Sequence, residues 1–311
     1  MKRIILATAG VFVFALIAAT LGSAGPSSTT GPAEVTGKTE AQAAAPLPRL
    51  PADIASRRRF IVGVKCDTPP FGYIDVRGKN AGIDIEIAKW FARYAWGREQ
   101  RVTFVCAPTA AREPLITTGR VDMVISTFTY TADRDTRIDF SRAYYKATGR
   151  LLVKNDSPIQ RLNDIRGRRI ATTSGSIYDR WMRRCFPTAE VITVDSVTSA
   201  ILAFNQGRAD AVMFDDAALL AVAAADATAK MTNDAFLEGP YGIGMRQGYT
   251  ALKRWVDARL AIMKQKDVFL QIIRNNLAPR FVPTFTANIL RPRNNFGYPA
   301  PGAPSADTVC P

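Results

Sequence analysis

The sequence predicts an α/β fold of two lobes, each built around a parallel sheet, with two crossover segments between them. Short apolar strands alternate with helical patterns from residue 60 to about residue 135. A second series of the same kind fills residues 169–216, and the extended segments 149–154 and 239–245 bracket it. Because strands that alternate with helices form parallel sheets, two such series indicate two lobes with a cleft between them.

The first series begins with FIVGVK, a strand that ends before the turn residues Asp67 to Pro70. Gly82 then opens a helix whose apolar residues Ile83, Ile87 and Phe91 recur every four positions. The further elements predicted for this series are strands at 102–107 and 121–126 and a helix at about 111–118.

The second series contains strands at 169–174, 191–196 and 211–216, with helices at 177–186 and 198–210. Long helices follow at about 248–263 and 267–278. We therefore assign residues 57–148 plus 240–285 to lobe 1, residues 149–239 to lobe 2, and residues 286–311 to an extended C-terminal tail.

The N-terminus predicts export. Lys2 and Arg3 precede an apolar run that ends at Ala19, and small residues follow up to Ala24. This pattern is typical of a signal peptide over residues 1–24, and an uncleaved membrane anchor is the alternative. Residues 25–56 are rich in Pro, Ser, Thr and Ala, which predicts a flexible tether. The expected location is periplasmic or at the cell surface.

Export permits disulfides, and the four cysteines allow three pairings. Cys66 and Cys106 each end a predicted strand, and Cys185 is placed to hold the Cys310 tail. We expect no metal and no cofactor, since the chain has no His and no two cysteines lie close in sequence.

The net charge of +14 is unevenly distributed. Residues 149–239 hold 11 basic and 11 acidic side chains, whereas residues 57–148 hold 16 and 10, and residues 240–311 hold 10 and 3. The excess therefore lies in lobe 1, where it favours an anionic membrane or wall surface as partner. A solvated basic surface is the alternative, and nucleic acid is not expected.

One stretch, STFTYTADRDTRIDFS, predicts a site for a small carboxylate. It places Ser126, Thr127 and Thr129 after an apolar strand and Arg134 five residues beyond Thr129. Arginine binds carboxylates with two parallel hydrogen bonds and stays charged. Lys65 and Arg112 also follow strand ends, the edge at which open sheets bind ligands.

Seven motifs in order extend this hypothesis to a family. The chain resembles the extracellular solute-binding proteins of the amino-acid-binding family (family 3), whose members close a cleft around a ligand and feed ABC importers. The resemblance spans about residues 60–285 and implies the periplasmic-binding-protein type II fold. The motifs are VGVKCDTPPFGY, GIDIEIAKWFA, AREPLITTGRVDMVISTFTYTADR, IDFSRAYY, TSGSIYD, GRADAVMFDD and GPYGIGM.

The resemblance implies ligand-binding roles on lobe 1. Arg134 matches the residue that grips the α-carboxylate of an amino acid, and Thr129 matches the residue that assists it. Ser126 and Thr127 match the stretch whose backbone carbonyl accepts a hydrogen bond from the α-ammonium group. Surface ion pairs of Arg134 with neighbouring aspartates are the structural alternative.

Lobe 2 supplies the complementary groups. Ser176, at a helix start, matches a group that touches the same carboxylate, as helix N-termini favour anions. Asp215 matches the acidic partner of the α-ammonium, although it or Asp216 could instead cap a helix. By contrast, Asp84 and Glu86 are predicted to be a helix cap and a surface charge.

Lys65 and Arg112 predict the ligand. The pattern VGVKxDxP resembles the one found in the branch of the family that binds acidic amino acids. Arg112 matches an arginine that holds a side-chain carboxylate in that branch. We therefore expect L-glutamate or L-aspartate. A solvated Lys65 and an Arg112–Glu113 pair are the alternatives. Phe71 and Tyr73 are candidates for an aromatic lid or for simple packing of the PPFGY turn.

The predicted function is extracytoplasmic binding of an amino acid by a monomer that delivers it to an ABC importer. A sensing receptor would use the same site and signal to a membrane partner. Enzymes such as cyclohexadienyl dehydratases share this fold, but they need a general acid or base in the cleft. No His and no unpaired cleft carboxylate can be nominated, so a non-enzyme is expected.

Overall fold

The computed structural model describes residues 46–294, 296–300, 304 and 306–311. Its strands are β1 (Phe60–Val64), β2 (Asp67–Thr68), β3 (Gly72–Ile74), β4 (Asn80–Ala81), β5 (Val102–Cys106), β6 (Met123–Ile125), β7 (Ile138–Phe140), β8 (Tyr145–Lys154), β9 (Arg169–Thr173), β10 (Glu190–Val194), β11 (Ala211–Asp215), β12 (Ala229–Met231), β13 (Phe236–Tyr241) and β14 (Gly244–Arg246). Its α-helices are α1 (Ala52–Arg57), α2 (Ile83–Trp96), α3 (Arg112–Thr117), α4 (Ala132–Asp135), α5 (Ile177–Cys185), α6 (Val197–Asn205), α7 (Asp216–Ala225), α8 (Thr250–Gln265), α9 (Val268–Asn276) and α10 (Val282–Asn288).

The first sheet has the strand order β5-β1-β6-β14-β7. Strands β5, β1 and β6 are parallel, so their carboxyl ends meet at one edge. The apolar stripe of α2 packs on this sheet because Ile83, Ile87 and Phe91 are all buried. Strand β7 was not predicted, and β14 overlaps only the end of the predicted extended segment 239–245. Each strand is three residues long and the two pair antiparallel, so neither has the long apolar run that identifies a strand in the sequence.

The second sheet has the order β10-β9-β11-β8-β12, and β13 also pairs with β8. Its central strands β9 and β11 are parallel, whereas β8 runs antiparallel to β11. Helices α5 and α6 bury apolar residues against this sheet, with Trp181 and Met182 among the most buried. This sheet and its helices form a second core, separate from the core of the first sheet.

Two antiparallel segments connect the sheets. Tyr145 lies opposite Tyr241 where β8 meets β13, and the Tyr144 N–H donates to the Tyr241 carbonyl. The chain thus leaves the first sheet through β8 and returns through β13 to β14. Two paired crossovers restrict the lobes to a hinge-like motion, as expected for a cleft that opens and closes.

The amino-terminal boundary differs from the prediction. Residues 52–56 were assigned to the tether but belong to helix α1 (Ala52–Arg57), because Ile54 is fully buried in the core of the first sheet. The predicted signal peptide and most of the tether lie outside the described residues. Within the described part of the chain, no helix combines the length and hydropathy needed to cross a bilayer.

The carboxyl-terminal segment is held at both ends. Helix α10 extends past residue 286, and Ile289 pairs with Tyr145 beside the crossovers. Two disulfides, Cys66–Cys106 and Cys185–Cys310, realise one of the three pairings that the four cysteines allow. The first joins the ends of β1 and β5, and the second fixes the tail to the last residue of α5.

Candidate functional site

A small cavity lies between the two sheets at the carboxyl ends of their strands. Its free volume is about 10 Å³, close to the smallest space that holds one water. The predicted residues Arg112, Thr127, Thr129, Ser176 and Asp215 all line it. The other lining residues are Thr109, Ile177, Tyr178 and Phe214.

Arg112 begins helix α3 and is almost fully buried. Its guanidinium donates to the carbonyls of Thr109 (3.0 Å), Ser126 (3.2 Å) and Thr127 (3.0 Å), and it lies 4.5 Å from the Phe128 ring. Burial lowers its pKa to about 10, so it stays charged at neutral pH. The alternative pairing of Arg112 with Glu113 is not observed, and Arg112 forms one wall of the cavity.

Arg134 sits behind that wall, on α4, and is 1% exposed. It donates to the Thr129 carbonyl at 2.8 Å, pairs with Glu113 at 3.2 Å, and donates to the Gly175 carbonyl of the other lobe at 3.0 Å. Burial lowers its pKa to about 9. In the described part of the chain the ion-pair partner of Arg134 is Glu113, and none of the neighbouring aspartates pairs with it.

Lys65 follows β1 and is fully buried, so the solvated alternative is wrong. Its Nζ donates to the Thr109 hydroxyl at 2.5 Å, which places the ammonium directly behind a lining residue. Burial, and secondarily the Arg112 charge, lower the pKa of Lys65 to about 8. Because the pKa of this buried lysine lies close to neutral pH, its protonation depends on any anion that enters the cavity.

Asp215 ends β11 and faces the cavity from lobe 2. Although it occupies the N-cap position of α7, its side chain does not cap the helix. Instead the Tyr178 hydroxyl donates to Asp215 Oδ1 at 2.7 Å. Burial raises the pKa of Asp215 to about 6. The neighbouring Asp216, the first residue of α7, accepts from Thr148 and from the backbone N–H of Ala217, so Asp216 and not Asp215 hydrogen-bonds a backbone donor of the first turn.

Asp84 corrects one prediction. It is neither a surface charge nor a local cap, because it is 0% exposed and accepts from the Thr127 N–H (3.0 Å) and the Tyr144 hydroxyl (2.8 Å). Thr127 has a positive φ of 43°, an unfavourable conformation for a β-branched residue. Asp84 thus fixes the turn after β6. The helical position of Asp84 gave no signal of this long-range contact.

Ser126 and Ser176 have mainly structural contacts. The Ser126 hydroxyl donates to the Ala107 carbonyl at 3.3 Å. Ser176 is the N-cap of α5, where its Oγ accepts from the Asp179 N–H at 3.1 Å. Because Ser176 also lines the cavity, the N-terminus of α5 points its partial positive charge there.

The two aromatic candidates do not line the cavity. Phe71 is fully buried and packs edge-on against Tyr145 and Tyr241, at ring distances of 5.0 and 5.5 Å. Tyr73 lies on the short strand β3 and is partly exposed. The lining aromatic residues are Tyr178 and Phe214, and neither is among the ligand-binding residues that the sequence predicted.

The lobes are in contact around this cavity. Besides the Arg134–Gly175 hydrogen bond, the Asp67 carboxylate accepts from the Val197 N–H at the start of α6, at 3.2 Å. Opening the cleft would break both contacts. An arrangement of opposite charges on two hinged lobes is suited to a small zwitterion, whose binding adds contacts only when the lobes close.

This fold and cavity define a class of two-lobed proteins that close a cleft around amino acids. The sequence model for bacterial extracellular solute-binding proteins, family 3, matches residues 60–277, and the chain belongs to that family. Family 3 proteins act outside the cytoplasm in amino-acid uptake by ABC transporters, and the relatives described next are binding proteins rather than enzymes.

Two relatives are glutamine-binding proteins. The ABC transporter glutamine-binding protein of Bacillus subtilis is 31% identical over 225 residues, covering 72% of this chain and 82% of the relative. The glutamine-binding protein of Geobacillus stearothermophilus is 33% identical over 230 residues, covering 73% of this chain and 87% of the relative. The glutamate-binding protein of Corynebacterium glutamicum is 26% identical over 229 residues, covering 70% of this chain and 77% of the relative.

Solved structures agree on the fold. A cysteine-binding protein from Campylobacter jejuni superposes with a TM-score of 0.71 at 27% identity, covering 72% of this chain and 91% of that one. The solute receptor for L-cysteine of Neisseria gonorrhoeae superposes with a TM-score of 0.72 at 27% identity, covering 75% of this chain and 95% of that one. The names of these relatives span several amino acids, so the fold alone does not select the ligand.

We predict that Asp84→Ala destabilises the fold by about 2–6 kcal/mol, because two buried donors lose their acceptor at about 1–3 kcal/mol each. Urea unfolding measures this free energy. Glu86→Ala is the matched control: Glu86 lies on the same helix, is partly exposed and, among the described residues, forms its ion pair with Lys89, so its loss should cost under about 0.5 kcal/mol. Equal effects of the two substitutions would contradict the role assigned to Asp84.

Proposed function

We propose that this protein binds an acidic amino acid, L-glutamate or L-aspartate, by closing its cleft, and delivers it to an ABC importer. The observation that carries the proposal is the pair of buried cations, Lys65 and Arg112, in addition to Arg134. One cation suffices for an α-carboxylate. Two more at the same cavity are suited to a second carboxylate.

The charges around the cavity support this choice. Three cations are buried there, and the buried carboxylates that oppose them are Asp84 and Asp215. Glu113 also pairs with Arg134, but it is partly exposed and is shared with the surface residue Arg137, so that pair adds one anion and one cation to the balance. A zwitterion with a neutral side chain would leave one positive charge in excess, whereas an acidic amino acid would offset it. Because an uncompensated buried charge costs several kcal/mol, the second carboxylate should contribute strongly to affinity.

The α-groups of the ligand have candidate partners on both lobes. The carboxylate would be held by Arg134 and Thr129 from lobe 1 and by the N-terminus of α5 from lobe 2. The ammonium would pair with Asp215, which Tyr178 orients. Since the cavity holds about 10 Å³, entry requires an open cleft, and the Arg134–Gly175 contact would be exchanged for ligand contacts.

Glutamine is the second candidate, and one specific observation favours it. The Arg112 guanidinium already donates to three backbone carbonyls, which reduces its capacity to bind a carboxylate. The glutamine-binding relatives are also the more similar of those described above. In that case Lys65 would remain a buried charge near the cavity without a ligand partner.

The substitution Lys65→Met distinguishes these ligands. It removes the ammonium but keeps most of the side-chain volume, so the affinity for L-glutamate should fall by about 30-fold or more, since a charged hydrogen bond contributes about 2–3 kcal/mol. The affinity for L-glutamine should change by less than about threefold. Isothermal titration calorimetry on refolded, ligand-free protein measures both.

Wild-type protein that binds glutamine at least as tightly as both acids would contradict the acidic-ligand proposal. An unchanged affinity of Lys65→Met for glutamate would remove Lys65 from the site. The thermal unfolding midpoint of the variant provides the folding control. We expect that midpoint to hold or rise, since the substitution removes a buried charge.

The affinity for glutamate should also depend on pH in two directions. The pKa of Asp215 is raised to about 6, so below pH 6 the carboxyl is protonated and its attraction for the ammonium is lost. The pKa of Lys65 is lowered to about 8, so above pH 8 the ammonium becomes neutral and attraction for the side-chain carboxylate is lost. Affinity should therefore be highest between pH 6 and pH 8.

Calorimetry across pH 5–9 checks this profile. Asp215→Asn should remove the loss of affinity below pH 6, and Lys65→Met should remove the loss of affinity that begins near pH 8. An affinity that stays constant from pH 5 to pH 7 would show that Asp215 does not pair with the ligand.

Delivery to an importer and signalling to a membrane partner would use the same site. We propose delivery, because the relatives include a glutamine-binding protein of an ABC transporter. The monomeric state and the basic face of lobe 1 toward an anionic surface remain parts of this proposal. Export of the chain by the predicted signal peptide would bring it to the substrate.

A further inference from the structure

The C-terminal strap is the part of residues 296–311 that the structure describes, and it contacts both lobes. At its start, Tyr298 stacks on Tyr130 at 4.1 Å, and its hydroxyl donates to the Ser141 carbonyl of lobe 1. At its end, the Val309 carbonyl accepts from Trp181 Nε1 at 2.8 Å, and Cys310 is bonded to Cys185. The strap therefore fixes its last residues along α5 of lobe 2.

Asp307 is the charged residue that this attachment positions. Its side chain is 7% exposed, and Oδ2 pairs with Arg180 of α5 at 3.3 Å. Its other oxygen, Oδ1, has no hydrogen-bond donor among the described residues. A buried carboxylate with one unsatisfied oxygen is costly, so the site needs a compensating electrostatic gain.

The compensating gain is the attraction of Asp307 for the positive charges that face each other across the cleft, those of Arg180 and Arg134. Arg180 also contacts Asp133 of lobe 1 at 3.7 Å, and Asp133 directly precedes Arg134. Arg134 in turn donates to Gly175, just before α5. Closing the cleft thus brings Arg180 of lobe 2 toward Arg134 of lobe 1.

Like charges in a partly desolvated interface oppose closure. Burial lowers the pKa of Arg134 most, the charges of Arg112 and then Arg180 lower it further, and the charges of Glu113 and then Asp307 raise it. Asp307 is therefore an anion near two cations that come together only when the lobes close. Only such a differential contact can shift the population between open and closed forms.

We infer that Asp307, held on lobe 2 by the Cys185–Cys310 disulfide, is a positioning residue that neutralises Arg180 opposite Arg134 and so stabilises the closed cleft. The strap then acts as a latch: the disulfide holds it on lobe 2, and by stabilising the closed cleft it slows the release of ligand. This inference rests on the proposed function only for its ligand readout. The closed population of the ligand-free protein tests it independently.

The first test is Asp307→Asn, which keeps the side-chain shape but removes the charge. Affinity for L-glutamate should fall by about fivefold or more, the lower range of typical couplings between sites. The loss should appear in the dissociation rate and shrink as salt screens the repulsion. Small-angle X-ray scattering of the ligand-free variant should give a larger radius of gyration than the wild type.

The double variant Asp307→Asn with Arg180→Gln separates charge neutralisation from simple packing. Arg180→Gln also removes the contact with Asp133, so the double variant is compared with Arg180→Gln alone. Without Arg180, Asp307→Asn should lower the affinity by less than about twofold, as a coupled pair requires. Arg183→Gln is the matched control, since Arg183 lies on the same helix and pairs within it with Asp179. It should leave affinity and radius of gyration unchanged.

Cys310→Ser tests the covalent attachment, and it should weaken affinity in the same direction as Asp307→Asn. Thermal unfolding confirms that each variant is folded; if Cys310→Ser is not, Cys185→Ala with Cys310→Ala replaces it. The inference is overturned if Asp307→Asn matches wild type in affinity and scattering, if Asp307→Asn weakens Arg180→Gln as much as it weakens the wild type, or if freeing Cys310 changes neither quantity. If no amino acid binds the wild type, the proposed function fails, while the scattering comparison still decides on the latch.

Discussion

Three cations buried around one small cavity impose the constraint on which the rest of the structure depends. Lys65, Arg112 and Arg134 are each at most 4% exposed. Moving a charge from water into a protein interior costs several kcal/mol unless partners replace the water. The fold provides these partners as backbone carbonyls, a hydroxyl and carboxylates, and the position of each partner follows from the sheet topology.

The first sheet places the cations, and the second places the counter-charges. Parallel strands bring Lys65, Arg112 and the turn at Thr127 to one edge, where buried Asp84 fixes the turn. Asp215 and the N-terminus of α5 face them from the other lobe. Because these partners meet only when the lobes close, affinity and closure are consequences of the same charge pairing.

Much of this arrangement could be predicted from the sequence, because apolar periodicity identifies strands and ordered motifs identify strand ends. Arg112, Thr129 and Asp215 were found in that way, and the structure brings them to one cavity. The role of Asp84 could not be predicted, since its partners Thr127 and Tyr144 are 43 and 60 residues away. A helical position alone predicts a cap or an exposed charge.

The other differences have similar causes. Helix α1 is short and follows a Pro-rich segment, and only the burial of Ile54 distinguishes it from a tether. Phe71 lies in a motif but packs in the core, whereas Tyr178 and Phe214 line the cavity from positions that also fit a core pattern. Cavity lining depends on how two lobes meet, and sequence periodicity describes only one element at a time.

The central claim is that a dicarboxylic amino acid fits between Arg134 and Asp215, with Lys65 and Arg112 at its side chain. Native mass spectrometry of protein purified from its exporting host without denaturation tests this most directly. The account predicts a bound species with the mass of glutamate or aspartate, released when the protein is unfolded. A bound species with the mass of glutamine, arginine or cystine would contradict it.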